Sequence, residues 1–225
     1  QGPPHRYHRR RIVSRETLIP EYEAEPAQAA QVFGDQLALA RQFTANLAQY
    51  GEDLGLIGPL ELPRLWSRHI LNCGIVAPLL HGRVGDVGSG AGLPGLVLAI
   101  ARPDVEFVLI EPMERRTAWL NDQVDALGLK NVTVVRDRAE DVRRDVLLDQ
   151  VTARAVSALK KLIPMTAPLV RPGGELVLMK GAGAAAEIEA ASKQIRAFKL
   201  TNVEVLTLGE GVLDDVTRVV RATVE

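Results

Sequence analysis

From residue 83 onward the chain alternates short β-rich runs with helical segments, and no other feature constrains the fold as strongly. Such alternation is typical of βαβ units, which build a mostly parallel sheet. The pattern predicts seven strands, at 84–87, 105–110, 132–135, 150–153, 174–179, 202–208 and 217–223. It predicts helices between them, near 95–102, 113–127, 139–147, 157–170 and 184–198.

The connection before the last predicted strand, residues 209–216, departs from this pattern. It is shorter than the roughly dozen residues that a crossover between parallel strands needs. The last two strands are therefore predicted to pair as an antiparallel hairpin. We expect an α/β, Rossmann-like fold with a seven-stranded, mostly parallel sheet that ends in this hairpin.

A helical extension precedes the alternating region. Apolar residues recur at helical spacing over residues 26–50, and Gly51 is suited to end that helix. A second helix is predicted over 63–80. The expected organisation is a flexible basic segment at 1–25, a helical extension at 26–82 and the α/β domain at 83–225.

The N-terminal segment carries a cluster of basic side chains without apolar periodicity. All of its first charged residues are arginines that precede the first acid, Glu16, namely Arg6, Arg9, Arg10, Arg11 and Arg15. A flexible tail is the simpler interpretation, and an arm that binds RNA is the alternative. Gln1-Gly2-Pro3 also resembles the remnant that protease cleavage of a tag leaves behind.

The composition excludes several classes of protein. A hydrophobic content of 47% in 225 residues is enough for a large core, so the chain as a whole is not disordered. Apolar runs are interrupted well before the ~18 residues that a membrane span needs, so we expect no membrane association. No apolar signal sequence begins the chain and a single cysteine cannot form an internal disulfide, which favours the cytoplasm. Four histidines and one cysteine without ligand spacing predict no metal site.

A glycine-rich turn, DVGSGAGLPG at 86–95, leads from the first predicted strand into a helix. Glycine adopts the positive φ that such turns need and lets a nucleotide-bearing cofactor approach the backbone. Residues 90–95 also satisfy G-x-G-x-x-G, so a nicotinamide-dependent dehydrogenase is one candidate. Asp86 favours S-adenosylmethionine instead, because a carboxylate attracts an ammonium and repels a pyrophosphate.

Two later strand ends carry further cofactor candidates. Glu111 ends the second predicted strand, where a carboxylate can accept hydrogen bonds from both ribose hydroxyls of S-adenosylmethionine or of NAD. Arg138-Ala139-Glu140-Asp141 follows the third strand, where a backbone amide and a side-chain acceptor can meet an adenine edge. The two acids are alternatively helix-start residues that match the helix dipole.

Together the motifs resemble the family of 16S rRNA guanine-N7 methyltransferases called RsmG or GidB, over roughly residues 28–224. The resemblance rests on DVGSGAGLPG at 86–95, Glu111 with Arg115-Arg116, RAE at 138–140, TARAV at 152–156, MKG at 179–181 and WSRHILNC at 66–73. Many members carry Asp where this chain has Asn72.

The resemblance implies a class I methyltransferase fold and a specific reaction. S-adenosylmethionine is the methyl donor, and N7 of a guanosine in a loop of 16S rRNA is the acceptor. The RNA partner is free 16S rRNA or an assembling small ribosomal subunit. The protein is expected to be a monomer in the cytoplasm. Loss of this modification is linked in the family to reduced streptomycin sensitivity. N7 carries a lone pair and no proton, so we expect no residue to act as a general acid or base.

The sequence pattern and the resemblance together give the expected site residues. The cofactor residues are Asp86, Gly88, Ser89, Gly90, Gly92, Leu93, Glu111, Ala139, Glu140 and Arg154. The residues expected to meet the RNA are His69, Arg115, Arg116, Arg154 and Lys180. His69, with Trp66 on the same helix face, is suited to stack a flipped guanine, or alternatively to hydrogen-bond a backbone carbonyl. Arg154 is suited to the methionine carboxylate or to the RNA.

Three other functions stay open from the sequence. One is an NAD-dependent oxidoreductase, which the glycine pattern also fits. Another is methyl transfer to a small molecule, which differs only in the acceptor. The third is a methyltransferase fold that binds RNA without catalysis.

Overall fold

The computed structural model describes residues 20–143, 147–154 and 157–225. Most of the predicted basic segment, residues 1–19, lies outside the described residues, and so do 144–146 and 155–156. The predicted flexibility of the segment and the last two residues of TARAV are therefore not addressed by the structure.

Within the described ranges a seven-stranded sheet forms the centre of the molecule, in the order β3-β2-β1-β4-β5-β7-β6. The strands are β1 Arg83–Val87, β2 Glu106–Ile110, β3 Val132–Val135, β4 Leu148–Arg154, β5 Val170–Lys180, β6 Leu200–Leu208 and β7 Thr217–Val224. Strands β1 to β5 are parallel, and β7 is antiparallel to both β5 and β6. The predicted hairpin at the end of a mostly parallel sheet is confirmed.

Helices cover both faces of the sheet because successive strand residues point to opposite sides. Phe107 and Leu109 of β2 belong to one hydrophobic core, and Val108 and Ile110 to the other. The helices of the α/β domain are α4 Gly95–Ala101, α5 Glu114–Leu127, α6 Leu159–Thr166, α7 Ala184–Ala190 and α8 Ser192–Ala197. The N-terminal extension packs into the first core, on the same face as α4 and α5.

The first predicted helix of the extension, 26–50, is wrong as one continuous element. It divides into α1 Gln28–Phe33, a 3₁₀ turn Gly34–Gln36 and α2 Leu37–Tyr50. Gly34 has a φ of 50°, which a right-handed helix cannot contain, so α1 ends there.

The second predicted helix, 63–80, is also wrong as one element. The chain forms a 3₁₀ segment Pro59–Arg64, a π-helical turn Leu65–Ile70, the short α3 Leu71–Gly74 and a 3₁₀ turn Ala77–Leu79. Its prolines, Pro63 and Pro78, lack the N–H that a regular helix needs, so the winding changes along the segment.

The later helices are shorter than predicted. Of the predicted helix 139–147, the described part contains only a 3₁₀ turn, Ala139–Asp141, because Val142 is already extended. Helix α6 contains Pro164 and ends at Thr166, and β5 begins at residue 170 rather than 174. The predicted helix 184–198 breaks at Ala191 into α7 and α8.

No helix in the described part of the chain combines the length and the apolar character that crossing a membrane requires.

Candidate functional site

Asp86 lies in the interior where β1 enters the glycine-rich turn, and its side chain is fully buried. Its Oδ2 accepts a hydrogen bond of 2.9 Å from the backbone N–H of Gly95, the first residue of α4. A Cβ at Gly95 would overlap both this oxygen and the side chain of Leu109. Glycine is therefore required at 95 for the carboxylate to bind the start of the helix.

The other carboxylate oxygen of Asp86, Oδ1, is buried and has no hydrogen-bond partner among the described residues. Burial raises the pKa of Asp86 from 3.8 to about 7, against the opposing effect of its hydrogen bonds. Thr152 pairs with Asp86 in register on β4, and its hydroxyl is a second buried oxygen left without a partner in the same ranges. Buried polar atoms normally have partners, so this pair marks a place for a polar or cationic group.

The glycine-rich turn is exposed at Gly88 and half-buried at Gly90. Gly88, Gly90 and Gly92 have φ values of 71°, 55° and 95°. A Cβ at Gly88 would meet no atom of the described chain within 4 Å, so a ligand can lie against this residue. Ser89 is buried, and its hydroxyl donates to the backbone oxygen of Asp86 at 3.0 Å. Leu93 is half-buried at the end of the turn.

Trp119 of α5 was not singled out by the sequence analysis, yet it supports this turn. Its indole N–H donates to the backbone oxygen of Ala91 at 2.9 Å. The indole is 2% exposed, so the turn is fixed from the core side. Trp119 lies within a helix and far in sequence from the glycines, so no local sequence pattern indicated that it contacts the turn.

Glu111 directly follows β2 and joins it to the glycine-rich turn. Its side chain is 2% exposed, Oε1 accepts from the backbone N–H of Gly90 at 3.1 Å, and Oε2 accepts from that of Met113 at 2.8 Å. Each carboxylate oxygen can accept a second hydrogen bond, so these contacts leave capacity for the two hydroxyls of a ribose. The guanidinium of Arg116 lies 3.7 Å from Oε1.

Ala139 and Glu140 lie in the 3₁₀ turn that follows β3, at the same edge of the sheet. Ala139 is 5% exposed, and Glu140 is on the surface. The structure places them next along this edge, after the ends of β1 and β2. Met113, 43% exposed beside Glu111, also lies here and was not predicted.

A cleft of about 630 Å³ opens at the carboxyl ends of β4 and β5. The basic residues among its lining are Arg68, Arg154, Lys180 and Arg218. Asn72 and Thr217 close one side: the Thr217 hydroxyl lies 3.0 Å from Oδ1 of Asn72 and 2.9 Å from its backbone oxygen. This cleft lies at the same edge of the sheet as the glycine-rich turn, because β4 is the parallel neighbour of β1.

His69 lies behind this cleft with its side chain 13% exposed. Nδ1 is 2.6 Å from Nη2 of Arg154, and Nε2 is 2.6 Å from Oε2 of Glu61. These partners are two side chains, whereas the sequence analysis considered a stacked base or a backbone carbonyl. Trp66 is buried in the core at 2% exposure.

The remaining residues expected to meet RNA are not gathered in one place. Lys180 is 4% exposed, and its ammonium lies 2.7 Å from the backbone oxygen of Ser157 and 3.0 Å from Oε1 of Glu187. Arg115 is exposed on α5, near the extension, and Arg116 is beside Glu111. The structure thus brings Arg154 and Lys180 to the cleft, and Arg116 to the cofactor side.

In residues 20–143, 147–154 and 157–225, no group of three or more His, Cys, Asp or Glu side chains is arranged to hold a metal ion. Cys73 is fully buried, and burial raises the pKa of its thiol to about 11.

Known proteins resemble this chain along most of its length. The family model described as rRNA small subunit methyltransferase G matches residues 36–215. The chain is 73% identical over 203 residues to the ribosomal RNA small subunit methyltransferase G of Leifsonia xyli subsp. xyli, covering 90% of this chain and 97% of that relative. It is 49% identical over 200 residues to the protein of that name from Corynebacterium glutamicum, covering 87% and 90% respectively.

Solved methyltransferases share the fold. Precorrin-6y C5,15-methyltransferase from Geobacter metallireducens matches with a TM-score of 0.51 and 15% identity, over 76% of this chain and 91% of that one. A SAM-dependent O-methyltransferase from Thermotoga maritima matches with a TM-score of 0.51 and 17% identity, over 68% and 64%. At these identities the likeness concerns the fold alone, and it confirms the expected Rossmann-like methyltransferase architecture. An NAD-dependent oxidoreductase is set aside.

The observed residues fit S-adenosylmethionine. The unpaired oxygen of Asp86 suits an ammonium, the open backbone at Gly88 suits close approach, and the spare acceptor capacity of Glu111 suits ribose hydroxyls.

We expect S-adenosylhomocysteine, which carries the same ammonium and adenosine, to displace a proton from the protein when it binds at about pH 6.5. In the ligand-free protein the raised pKa keeps Asp86 protonated below about 7. An ammonium beside its free oxygen favours the carboxylate, and the proton leaves. Calorimetry in two buffers of different ionisation enthalpy measures this release as a difference in apparent binding enthalpy.

The Asp86→Asn variant is the control, because it cannot titrate and should give the same binding enthalpy in both buffers. Equal apparent enthalpies for the wild-type protein would contradict the assignment of Asp86 to the ammonium.

The Glu111→Gln variant should bind S-adenosylhomocysteine about tenfold more weakly or worse, since hydrogen bonds to a charged group contribute about 1.5–3 kcal/mol each. Glutamine has the same size, but one of the two oxygens that hold Gly90 and Met113 becomes an N–H donor. Calorimetric Kd values measure the change. Glu106→Gln, at the 74% exposed start of the same strand, is the matched control. An unchanged Kd for Glu111→Gln would remove Glu111 from the cofactor site.

Proposed function

This chain belongs to the rRNA small subunit methyltransferase G family, and from that membership we propose that it methylates N7 of a guanosine in a loop of 16S rRNA with S-adenosylmethionine as methyl donor. The chain is an S-adenosylmethionine-dependent rRNA methyltransferase by family and by fold. The observation that carries the cofactor assignment is the buried Asp86 carboxylate, whose unpaired oxygen lies beside the open glycine-rich turn.

Binding and orientation of the cofactor are divided among three strand ends. Asp86 near the end of β1 holds the ammonium, and Glu111 directly after β2 holds the ribose. The turn that contains Ala139 and Glu140, after β3, meets the adenine. When bound, S-adenosylmethionine supplies a methyl group on a positively charged sulfur. The backbone of Gly88 and Gly90 leaves space for close approach, which a larger residue would fill.

The acceptor explains why the site needs no proton-transfer residue. N7 of guanine has an in-plane lone pair and no proton, so no base has to act before it attacks. The protein then contributes placement of the nucleophile in line with the methyl carbon, which is worth roughly 7–11 kcal/mol when the alignment is good. We therefore assign no residue as general acid or base.

The RNA lies in the cleft at the ends of β4 and β5. Arg154 and Arg218 line this cleft, and Arg68 lies at its exposed margin with Asp215 at 3.8 Å. Such cations bind phosphates, which positions the RNA without reading its sequence. Lys180 contributes to the wall of the cleft, because its ammonium contacts both the backbone oxygen of Ser157 and the carboxylate of Glu187.

We propose further that the protein acts in the cytoplasm as a monomer, on free 16S rRNA or on an assembling small subunit. In this proposal its loss lowers sensitivity to streptomycin. The location and the effect of the loss on streptomycin sensitivity rest on membership of the rRNA small subunit methyltransferase G family.

The proposed function is tested with tritiated S-adenosylmethionine and 16S rRNA, both free and in small subunits, from cells that lack the enzyme. We expect label in one guanosine, located by borohydride reduction and aniline cleavage, which act at N7-methylguanosine. Asp86→Asn is the control and should transfer little label, because it cannot supply the carboxylate.

Label at another atom would contradict the acceptor assignment. RNA binding without any transfer would contradict the enzymatic assignment and favour a binding module.

A further inference from the structure

His69 joins two charged side chains that come from different parts of the fold. Its Nδ1 faces Arg154 of β4, and its Nε2 faces Glu61 of the extension, each at 2.6 Å. A guanidinium only donates hydrogen bonds, and an ionised carboxylate only accepts them. Nδ1 must therefore accept from Arg154, and Nε2 must carry the proton that is donated to Glu61. The two partners together define one neutral tautomer of the ring.

Glu61 is itself held in place. Arg64 donates two hydrogen bonds to its carboxylate, at 2.7 and 2.9 Å. These bonds, and then the contact with His69, lower the pKa of Glu61 to about 2. The carboxylate is therefore ionised across the whole physiological range, and it always offers an acceptor to Nε2 of His69.

Arg154 receives its direction from the extension. Nη2 donates to His69, and Nη1 lies 3.7 Å from the sulfur of Cys73 in α3. The guanidinium of Arg154 has more N–H donors than these two contacts use. Arg154 also lines the cleft. The remaining donors are thus available to a ligand in the cleft while the back of the group is fixed.

We propose that His69 is a positioning residue, whose unprotonated Nδ1 fixes the direction of the Arg154 guanidinium so that Arg154 binds a phosphate of the RNA beside the target guanosine. This proposal rests on the proposed function, because it places RNA in the cleft. It makes the N-terminal extension part of the substrate site, although the extension contributes none of the cofactor residues.

The charges around His69 make its contact with Arg154 sensitive to pH. Burial lowers the pKa of His69, Glu61 opposes that effect, and the positive charges of Arg154 and Arg64 lower it further. The titratable and charged groups that face the ring are Glu61 and Arg64 of the segment Pro59–Arg64, Arg154 of β4 and, next to Arg154, Cys73 of α3. Protonation would turn Nδ1 into a donor that faces a cation. Because the pKa of His69 is lowered, the contact with Arg154 is present at neutral pH and is lost only as the pH falls through that lowered pKa, below the ordinary histidine value of about 6.5.

Two amide substitutions test the roles of the two ring nitrogens of His69 one at a time. In His69→Asn the side-chain oxygen takes the place of Nδ1 and keeps an acceptor for Arg154. In His69→Gln the amide reaches the place of Nε2 and keeps only the partner of Glu61. We expect His69→Gln to raise the KM for small-subunit rRNA about tenfold relative to His69→Asn, the change expected for one charge-assisted hydrogen bond. The kcat and the Kd for S-adenosylhomocysteine should differ little between the two.

The pH profile and a double substitution complete the test. The KM of the wild-type enzyme for RNA should rise as the pH falls through the lowered pKa of His69, whereas that of His69→Asn should not. In the Arg154→Ala background, His69→Gln should cause no further rise, because its effect passes through Arg154.

Equal losses in the Asn and Gln variants, additive effects with Arg154→Ala, or a parallel loss of S-adenosylhomocysteine binding would overturn the positioning role. If the wild-type enzyme binds S-adenosylhomocysteine but methylates no rRNA, the proposed function fails instead. The positioning role is then tested by the Kd values of the same variants for RNA, measured by fluorescence anisotropy. His69→Gln should bind RNA more weakly than His69→Asn.

Discussion

The structure depends on one buried carboxylate at the end of the first strand. Asp86 uses Oδ2 to bind the N–H of Gly95, which fixes the start of α4, and it keeps Oδ1 without a partner in the described chain. Burying such an oxygen is unfavourable unless a hydrogen bond or a cation compensates for the lost water. The glycine-rich turn around it follows from the same constraint, because residue 95 has no room for a Cβ beside the carboxylate. In the proposed function this oxygen is the acceptor for the ammonium of the cofactor.

The second strand and the extension complete the site in different ways. Glu111 ties the glycine-rich turn to β2 through the N–H of Gly90, so the positions proposed for the ammonium and the ribose lie on two neighbouring parallel strands that are joined by this hydrogen bond. The substrate side is built across a longer path, from Glu61 through His69 to Arg154. The proposed cofactor side is therefore local to the strand ends, while the proposed RNA side needs the extension to be docked on the sheet.

This difference explains what the sequence could predict. Asp86 and Glu111 lie at strand ends within a short stretch of sequence, so local pattern was enough to propose them for the cofactor. The short connection 209–216 was enough to predict the hairpin, which the structure confirms. The contact between His69 and Arg154 joins residues 85 positions apart and has no local signature. The helix breaks near Gly34 and Pro63 were missed because the helical spacing of apolar residues continues across both positions. The backbone cannot continue a regular helix there, since Gly34 has a positive φ and Pro63 lacks an N–H. The burial of Lys180 beside Glu187 depends on the packing of α7 against the sheet, which residue type alone does not show.

The most direct measurement is a crystal structure of the protein with S-adenosylhomocysteine bound. The account predicts the ligand against the glycine-rich turn, with its ammonium within hydrogen-bond reach of Asp86 Oδ1, directly or through one water, and both ribose hydroxyls on Glu111. A ligand seated in the cleft beside Arg154, with Asp86 Oδ1 still unpaired, would contradict it.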